Sequence, residues 1–376
     1  MKIKIAHLAS FSGNIGDVAN HESFYFNFKK ALNCDIEITK LEIRDYYLIW
    51  NNKKFDDDFI KLVNQHDLFI IGGGNLFELC WDYSDTGTTV NLSNEQLDKI
   101  NTPILINAIG LDVYKGVNQE NLEKFSSFIA KLQEKESFFT VRNEGSFDVI
   151  REYFPQYEKY ILKTMDNGFY LSDLLKNTKK EKKYIGFNIA KDMANIRYHN
   201  MSYEFFLEEI CKTIKRICDE TDYKIMMLPH IYSDYEAIMD IMGMLDNQLV
   251  RTRFSIAPLI HGLEIDTFNY YQQCRAIYAM RFHANVCAIS LNIPTVPILN
   301  YPKHIELYED LGYKERVINT NSKCFKSELN IYTEKIICNE LYSIDVVDYI
   351  KDSKAIYFKG IRKWLENRSS IFLHRH

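Results

Sequence analysis

Short apolar runs and helically spaced stretches take turns along most of the chain. Residues 2–8 read as a buried strand, 19–32 carry helical spacing, 35–43 alternate as a strand does, and 55–65 return to helical spacing. A short buried strand at 67–71 runs into three glycines, and further strands are expected at 103–109 and 138–141, with helices at 121–135 and 143–153. A polar, lysine-rich stretch at 176–183 interrupts this rhythm and reads as a solvated linker. The pattern then resumes as strand 184–189, helix 203–219, strand 224–228, helix 235–245, strand 276–280, helix 284–291 and strand 295–299. Strands alternating with helices predict an α/β protein with mostly parallel sheets covered on both faces. The interruption predicts two Rossmann-like domains, 1–175 and 184–343, facing each other across a cleft, with ligands at the carboxyl ends of the strands. The remaining segment, 344–376, begins with a helical stretch to 368 that interleaves Tyr349, Tyr357, Phe358 and Trp364 with lysines. A helix packed back across the domains is the expectation, and a membrane-surface helix is the alternative.

Composition narrows the class. At 376 residues, two cores are expected, and 46% hydrophobic residues supply them. The formal net charge of -5 argues against nucleic acid as the main partner. The eight cysteines form no C-x-x-C pair, and Cys80, Cys287 and Cys338 sit in apolar company, so buried free thiols are expected rather than a disulfide framework or a metal site. The N-terminal apolar run is interrupted by Lys4 and His7, as befits a first strand rather than a signal peptide, and no stretch is apolar for long enough to span a bilayer. The expected location is therefore the cytoplasm, or the inner face of the membrane.

Candidate chemistry clusters where strands give way to helices. Ser12-Gly-Asn14-Ile-Gly-Asp17 follows the first strand and opens a helix, reading either as a structural turn or as a loop that brings backbone N–H groups to an anion. Asp17 is favoured by the helix dipole and serves equally as a cap. Gly72-Gly73-Gly74-Asn75 ends the 67–71 strand, and such a run implies close approach of a ligand or another backbone. The polar and aromatic loop that follows carries Glu78, Trp81, Asp82, Tyr83 and Asp85 and fits a substrate-shaping role. Arg142 ends another strand, where it can fork onto a phosphate or carboxylate, or pair with Glu144 or Asp148. Met280-Arg281-Phe282-His283-Ala284 ends an apolar strand in two polar side chains at the ligand edge; Lys303 follows a later strand toward the same edge, with His304 beside it.

Taken together, several of these segments resemble the polysaccharide pyruvyl transferases. They are Gly13-Asn-Ile-Gly-Asp17, Gly72-Gly-Gly-Asn-Leu-Phe77, Ala108-Ile-Gly110, Val141-Arg142 with Ser146, and Arg281-Phe-His-Ala284 running into Ile293-Pro-Thr-Val-Pro-Ile298. The resemblance implies a fold like that of GT-B glycosyltransferases, phosphoenolpyruvate as donor, a sugar hydroxyl pair as acceptor, and a pyruvate ketal as product. It matches Arg142, His283 and Lys303 to the family's basic donor-site residues, with Arg281 beside them. His283 would be the acid that protonates the methylene carbon, and Asp17 or a carboxylate of the 78–85 loop the base. Ser12, Asn14, Gly73, Gly74, Asn75 and Asp82 would complete the substrate contacts. No cofactor and no metal are called for. The acceptor could be nucleotide-linked, lipid-linked or polymeric. The stretch Leu76-Phe-Glu-Leu-Cys-Trp-Asp82 departs from the family's usual Gln-Asp pair, on the acceptor side.

Two other classes fit the same outline. A glycosyltransferase using a nucleotide sugar would need a ribose-binding carboxylate, for which Glu264 and Asp266 are candidates, although no E-x7-E pattern is present. A non-catalytic anion- or glycan-binding protein would have no need to retain Arg142, Arg281 and His283 together.

Overall fold

The computed structural model describes residues 2–175, 180–299 and 301–368. Residues 176–179 of the expected linker, Asn300, and residues 369–376 of the C-terminal segment lie outside the described residues. The chain divides into two compact units. The first takes residues 2–12, 20–170 and 347–368, and the second takes Gly13–Ala19 together with the described part of Leu171–Val346.

The first unit is built on strands β1 (Lys2–Ala9), β2 (Asp35–Glu42), β3 (Leu68–Gly72), β5 (Ile104–Ile109), β7 (Phe138–Val141) and β8 (Leu162–Lys163). They form one parallel sheet in the order β2-β1-β3-β5-β7-β8. Sequence sets the order of burial. The central β3 and β5, Leu-Phe-Ile-Ile-Gly and Ile-Leu-Ile-Asn-Ala-Ile, are buried at every position, whereas edge strand β2 alternates toward solvent. A separate two-residue parallel ladder joins β4 (Phe77–Glu78) to β6 (Leu111–Asp112) and sets Glu78 opposite Asp112. The helix Val347–Arg368 belongs to this unit: Phe358 stacks on Phe24, the Tyr357 hydroxyl donates to Asn107 Oδ1 (2.6 Å), and the Trp364 indole N–H donates to the Glu136 carbonyl (2.9 Å).

The second unit repeats the plan with β9 (Tyr184–Asn188), β10 (Lys224–Met227), β11 (Phe254–Ile256), β12 (Cys274–Ala279), β13 (Thr295–Leu299) and β14 (Ile318–Asn319), parallel in the order β11-β10-β9-β12-β13-β14. One face of the sheet packs on Phe206, Ile210, Ile214 and Ile217 of the helix Tyr203–Glu220; a second core joins Ile15 and Ala19 to Leu228, Phe268, Ala284 and Cys287. Cys287 is buried as expected, but Cys80 is half-buried and Cys338 exposed. Among the described residues, no helix is long and apolar enough to cross a membrane.

Candidate active site

His283 is the best-defined candidate. It sits in the first turn of the helix Phe282–Ser290, directly after β12, and is buried rather than presented at an open edge. Its Nδ1 lies 3.4 Å from Oδ1 of Asp17, in the first turn of the helix Ile15–Leu32. That approach depends on Gly16: a β-carbon there would fall 2.2 Å from Cβ of His283. Asn14 shapes the turn, its side-chain oxygen accepting the Gly16 N–H (2.9 Å), and the Ile15 N–H is held by the His230 carbonyl (3.1 Å). The Gly13–Asp17 motif, read from sequence as a loop of the first domain, thus grips the second unit's histidine. The Phe282 ring packs on His304 (5.6 Å between centroids), which brings the start of the helix Pro302–Asp310, with buried Lys303 in its first turn, beside that of Phe282–Ser290. The starts of the helices Ile15–Leu32 and Phe282–Ser290 meet at His283, with that of Pro302–Asp310 beside Phe282, a setting that favours an anion.

Arg281 precedes His283, but it is not a free cation. Its Nε lies 2.9 Å from both oxygens of Asp234, its Nη2 also reaches Asp234, and its outer nitrogens meet Asp192 at 3.0 and 3.3 Å. Burial works against its charge, but Asp234 and then Asp192 more than offset this and raise the guanidinium's pKa. With Arg197 also on Asp192, the cluster holds two cations and two carboxylates and is neutral in sum. His230 faces the same group. Its Nε2 meets the Tyr271 hydroxyl at 2.5 Å, and burial, aided by Arg281 and His283, lowers its pKa well below the ordinary value and holds the ring neutral. Asp192, Asp234 and His230 were not singled out by the sequence reading. Their signal lay in applying to β9 and β10 the carboxyl-edge rule that was applied to β12.

In the first unit, Arg142 is 4% exposed, with Nε 3.0 Å from Glu144 and Nη1 3.2 Å from Asp166. The expected free fork on an anion is therefore replaced by a buried two-carboxylate clamp, whose charges outweigh burial and raise the guanidinium's pKa. Of the two ion-pair partners weighed from sequence, Glu144 is the one engaged; Asp148 pairs with Arg151 instead. Gly110 makes room for this clamp, since a β-carbon there would meet Asn75, Arg142 and Glu144 within 3.0 Å.

The triple glycine is explained by backbone and side-chain approach. Gly72 and Gly73 have φ of 123° and 86°; a β-carbon would lie 2.7 Å from the Asn107 carbonyl at the first and 2.7 Å from Asn20 Oδ1 at the second. Gly74 accepts the Gly110 N–H (2.8 Å). Asn75 then donates to Glu78 (3.0 Å) and Asp112 (3.1 Å), and Lys115 reaches Glu78 at 2.6 Å. Asp82 is committed elsewhere: one of its oxygens accepts from both Asn118 and Asn121 at 2.8 Å, fastening the loop to the start of the helix Gln119–Glu134. Glu78 and Asp112 are the carboxylates at the glycine turn. Asp112 was missed because a two-residue ladder leaves no periodic trace. Ser12 stays in the first unit, its hydroxyl on Glu42 (3.2 Å) and its carbonyl on Arg44 (2.8 Å).

Solved structures agree with an α/β fold of the GT-B type. S. aureus MnaA, solved with UDP, superposes with a TM-score of 0.56 at 13% identity, covering 97% of each chain. The UDP-GlcNAc 2-epimerase of Neisseria meningitidis, solved with UDP-GlcNAc, gives 0.56 at 11% identity, covering 96% of this chain and 100% of that one. At these identities the likeness is one of fold. No curated protein matches by sequence. The family model "Polysaccharide pyruvyl transferase" matches residues 14–301, and the chain belongs to that family of transferases.

Proposed function

We propose that the protein moves the enolpyruvyl group of phosphoenolpyruvate onto two hydroxyls of a sugar, giving a pyruvate ketal and inorganic phosphate, in the cytoplasmic stage of cell-surface polysaccharide synthesis. The observation that carries this reading is the Asp17–His283 pair where two helix N-termini meet, with a third beside Phe282. Protonated His283 gives its proton to the methylene carbon of the donor. The adjacent carbon becomes electrophilic and takes one sugar hydroxyl, whose proton returns to His283; phosphate leaves, and the second hydroxyl closes the ketal, its proton going to the departing phosphate. Asp17 supplies the counter-charge of the imidazolium and fixes the ring, which replaces its expected role as base. Because Arg281 is neutralised by Asp192 and Asp234, the donor's negative charge falls to the helix N-termini and Lys303. The reaction requires no metal or organic cofactor.

The test is release of phosphate from phosphoenolpyruvate in the presence of a panel of sugar acceptors, with His283→Gln as control. Release that needs both an acceptor and His283 is expected. Turnover of a nucleotide sugar with release of its nucleotide, and none of phosphoenolpyruvate, would replace this reading with a glycosyltransferase.

A further inference from the structure

The two carboxylates on Arg281 are held in different ways. Asp234 is fully buried in the first turn of the helix Asp234–Met244, and its Oδ2 also accepts the His230 N–H (2.8 Å), so it belongs to the framework. Asp192 does not. Its side chain keeps 31% of its surface open, and it stands in the connection between β9 and the short helix Ala194–Arg197. The next residue, Met193, is exposed and has φ of 55°, in the left-handed region that residues other than glycine seldom enter. Lys191, one residue earlier, is tied to Asp240 (2.9 Å). Among the described residues, the Asp192 carboxylate meets only Arg281 and Arg197.

Around that carboxylate the nitrogens are set out as in an oxyanion site. Nη1 and Nη2 of Arg281 fork onto its two oxygens (3.3 and 3.0 Å), and Nε of Arg197 lies 3.4 Å from one of them. Fixed Asp234 balances one of the two positive charges, and Asp192 alone balances the other. Arg197 shows how thin that balance is: burial, together with the charge of Arg281, outweighs Asp192 and lowers its pKa, the reverse of Arg281. Were Asp192 to swing out into water, two guanidiniums would present three nitrogens and a net single positive charge to whatever took its place. Nitrogens from two separate forks suit the tetrahedral oxygens of a phosphate group better than a planar carboxylate.

We infer that Arg197 and Arg281 form a phosphate-binding site which the Asp192 carboxylate occupies until a phosphate group displaces it. Ligand and side chain compete for the same nitrogens, so the apparent affinity is reduced by whatever it takes to release Asp192. The inference goes beyond the transfer reading, in which Arg281 bears none of the donor's charge, and does not depend on it. The experiment titrates inorganic phosphate, pyruvate and phosphoenolpyruvate into the full chain by calorimetry, with no sugar present. It is repeated with Asp192→Asn, which keeps the shape of the side chain and removes its charge, with Arg197→Gln, and with both together. Inorganic phosphate should bind at least tenfold more tightly to Asp192→Asn than to the unaltered chain, pyruvate should gain less, and the double variant should lose the gain. Because Asp192→Asn leaves two arginines with one carboxylate, melting is also followed with and without phosphate, which should raise the melting temperature of that variant more than that of the unaltered chain. Phosphate affinity unchanged by Asp192→Asn, a gain that survives Arg197→Gln, or pyruvate bound as tightly as phosphate overturns the inference. The phosphoenolpyruvate arm separates the sources: a gain matching that of inorganic phosphate assigns the site to a phosphate ester, and a gain confined to inorganic phosphate assigns it to the free ion. No turnover enters the measurement, so failure here leaves the transfer reading standing, and failure of that reading leaves this site standing.

Discussion

A β-carbon on Gly16 would stand 2.2 Å from Cβ of His283, two residues separated by most of the chain and locked together in the second unit. Replacing Gly16 with Ala must displace the histidine or the turn. Overpacking of this kind costs about 1–3 kcal/mol. We expect a lower melting temperature and, on the proposed mechanism, at least a ~10²-fold loss of phosphate release, because the proposed acid is displaced. A Gly16→Ala enzyme with full turnover would show that His283 is free to move without consequence.

Asp17 and His283 should behave as one device. His283→Gln is expected to lower turnover by ~10²–10⁴-fold. Asp17→Asn should cost less, and in the His283→Gln background almost nothing more, because its effect passes through the ring. Additive losses in the double variant would assign Asp17 an independent role, such as the base.

Arg142 should prove a pillar of the first unit. Its removal leaves Glu144 and Asp166, both fully buried, without their cation, a loss of about 3–5 kcal/mol. Arg142→Ala should therefore unfold at markedly lower denaturant concentration. Arg142→Lys should recover little, since one ammonium cannot fork onto two carboxylates. Chemical denaturation monitored on the purified variants reads this directly.

Stability should fall in mild acid. His7 and His230 are both buried, with pKa values pushed well below the ordinary ~6.5, chiefly by burial. A histidine depressed in the folded state is neutral there, while the unfolded chain binds the proton. Its contribution is complete above ~6.5 and is lost as pH falls from there toward the folded value, at roughly 1.4 kcal/mol per pH unit for each ring. Melting curves between pH 7.5 and 5 should drop steeply, and His230→Gln should make the drop shallower. A flat profile would mean that neither ring is held neutral.

Much of the fold was legible because its signals are local. The predominantly apolar runs at β3, β5 and β13 leave little choice but buried parallel strands, and the glycines that follow β3 and β5 mark the carboxyl edge. The partners of the site were harder to read. Arg281 and Arg142 announce cations at that edge, yet nothing near them in sequence shows that Asp192, Asp234 and Asp166 will neutralise them, because those carboxylates arrive from other strands. The triple glycine was legible as a close approach. That the approaching groups are Asn107, Gly110 and Asn20 is a fact of tertiary packing. The partners of Asp82 were equally illegible: Asn118 and Asn121 stand at the start of a helix that begins long after it.

The placement of the helix Val347–Arg368 in the first unit has a consequence for synthesis on the ribosome. Domains commonly fold in the order in which they emerge, N-terminal first. Here the sheet of the first unit is translated before the second unit, yet the helix that covers Phe24, Phe138 and Asn107 comes only after it. The nascent sheet must wait, with that apolar face uncovered, through translation of the whole second unit. A message cut short before Val347 would therefore damage the unit made before the break and not the one beside it, and the cell's chaperones would meet it as a domain left unfinished.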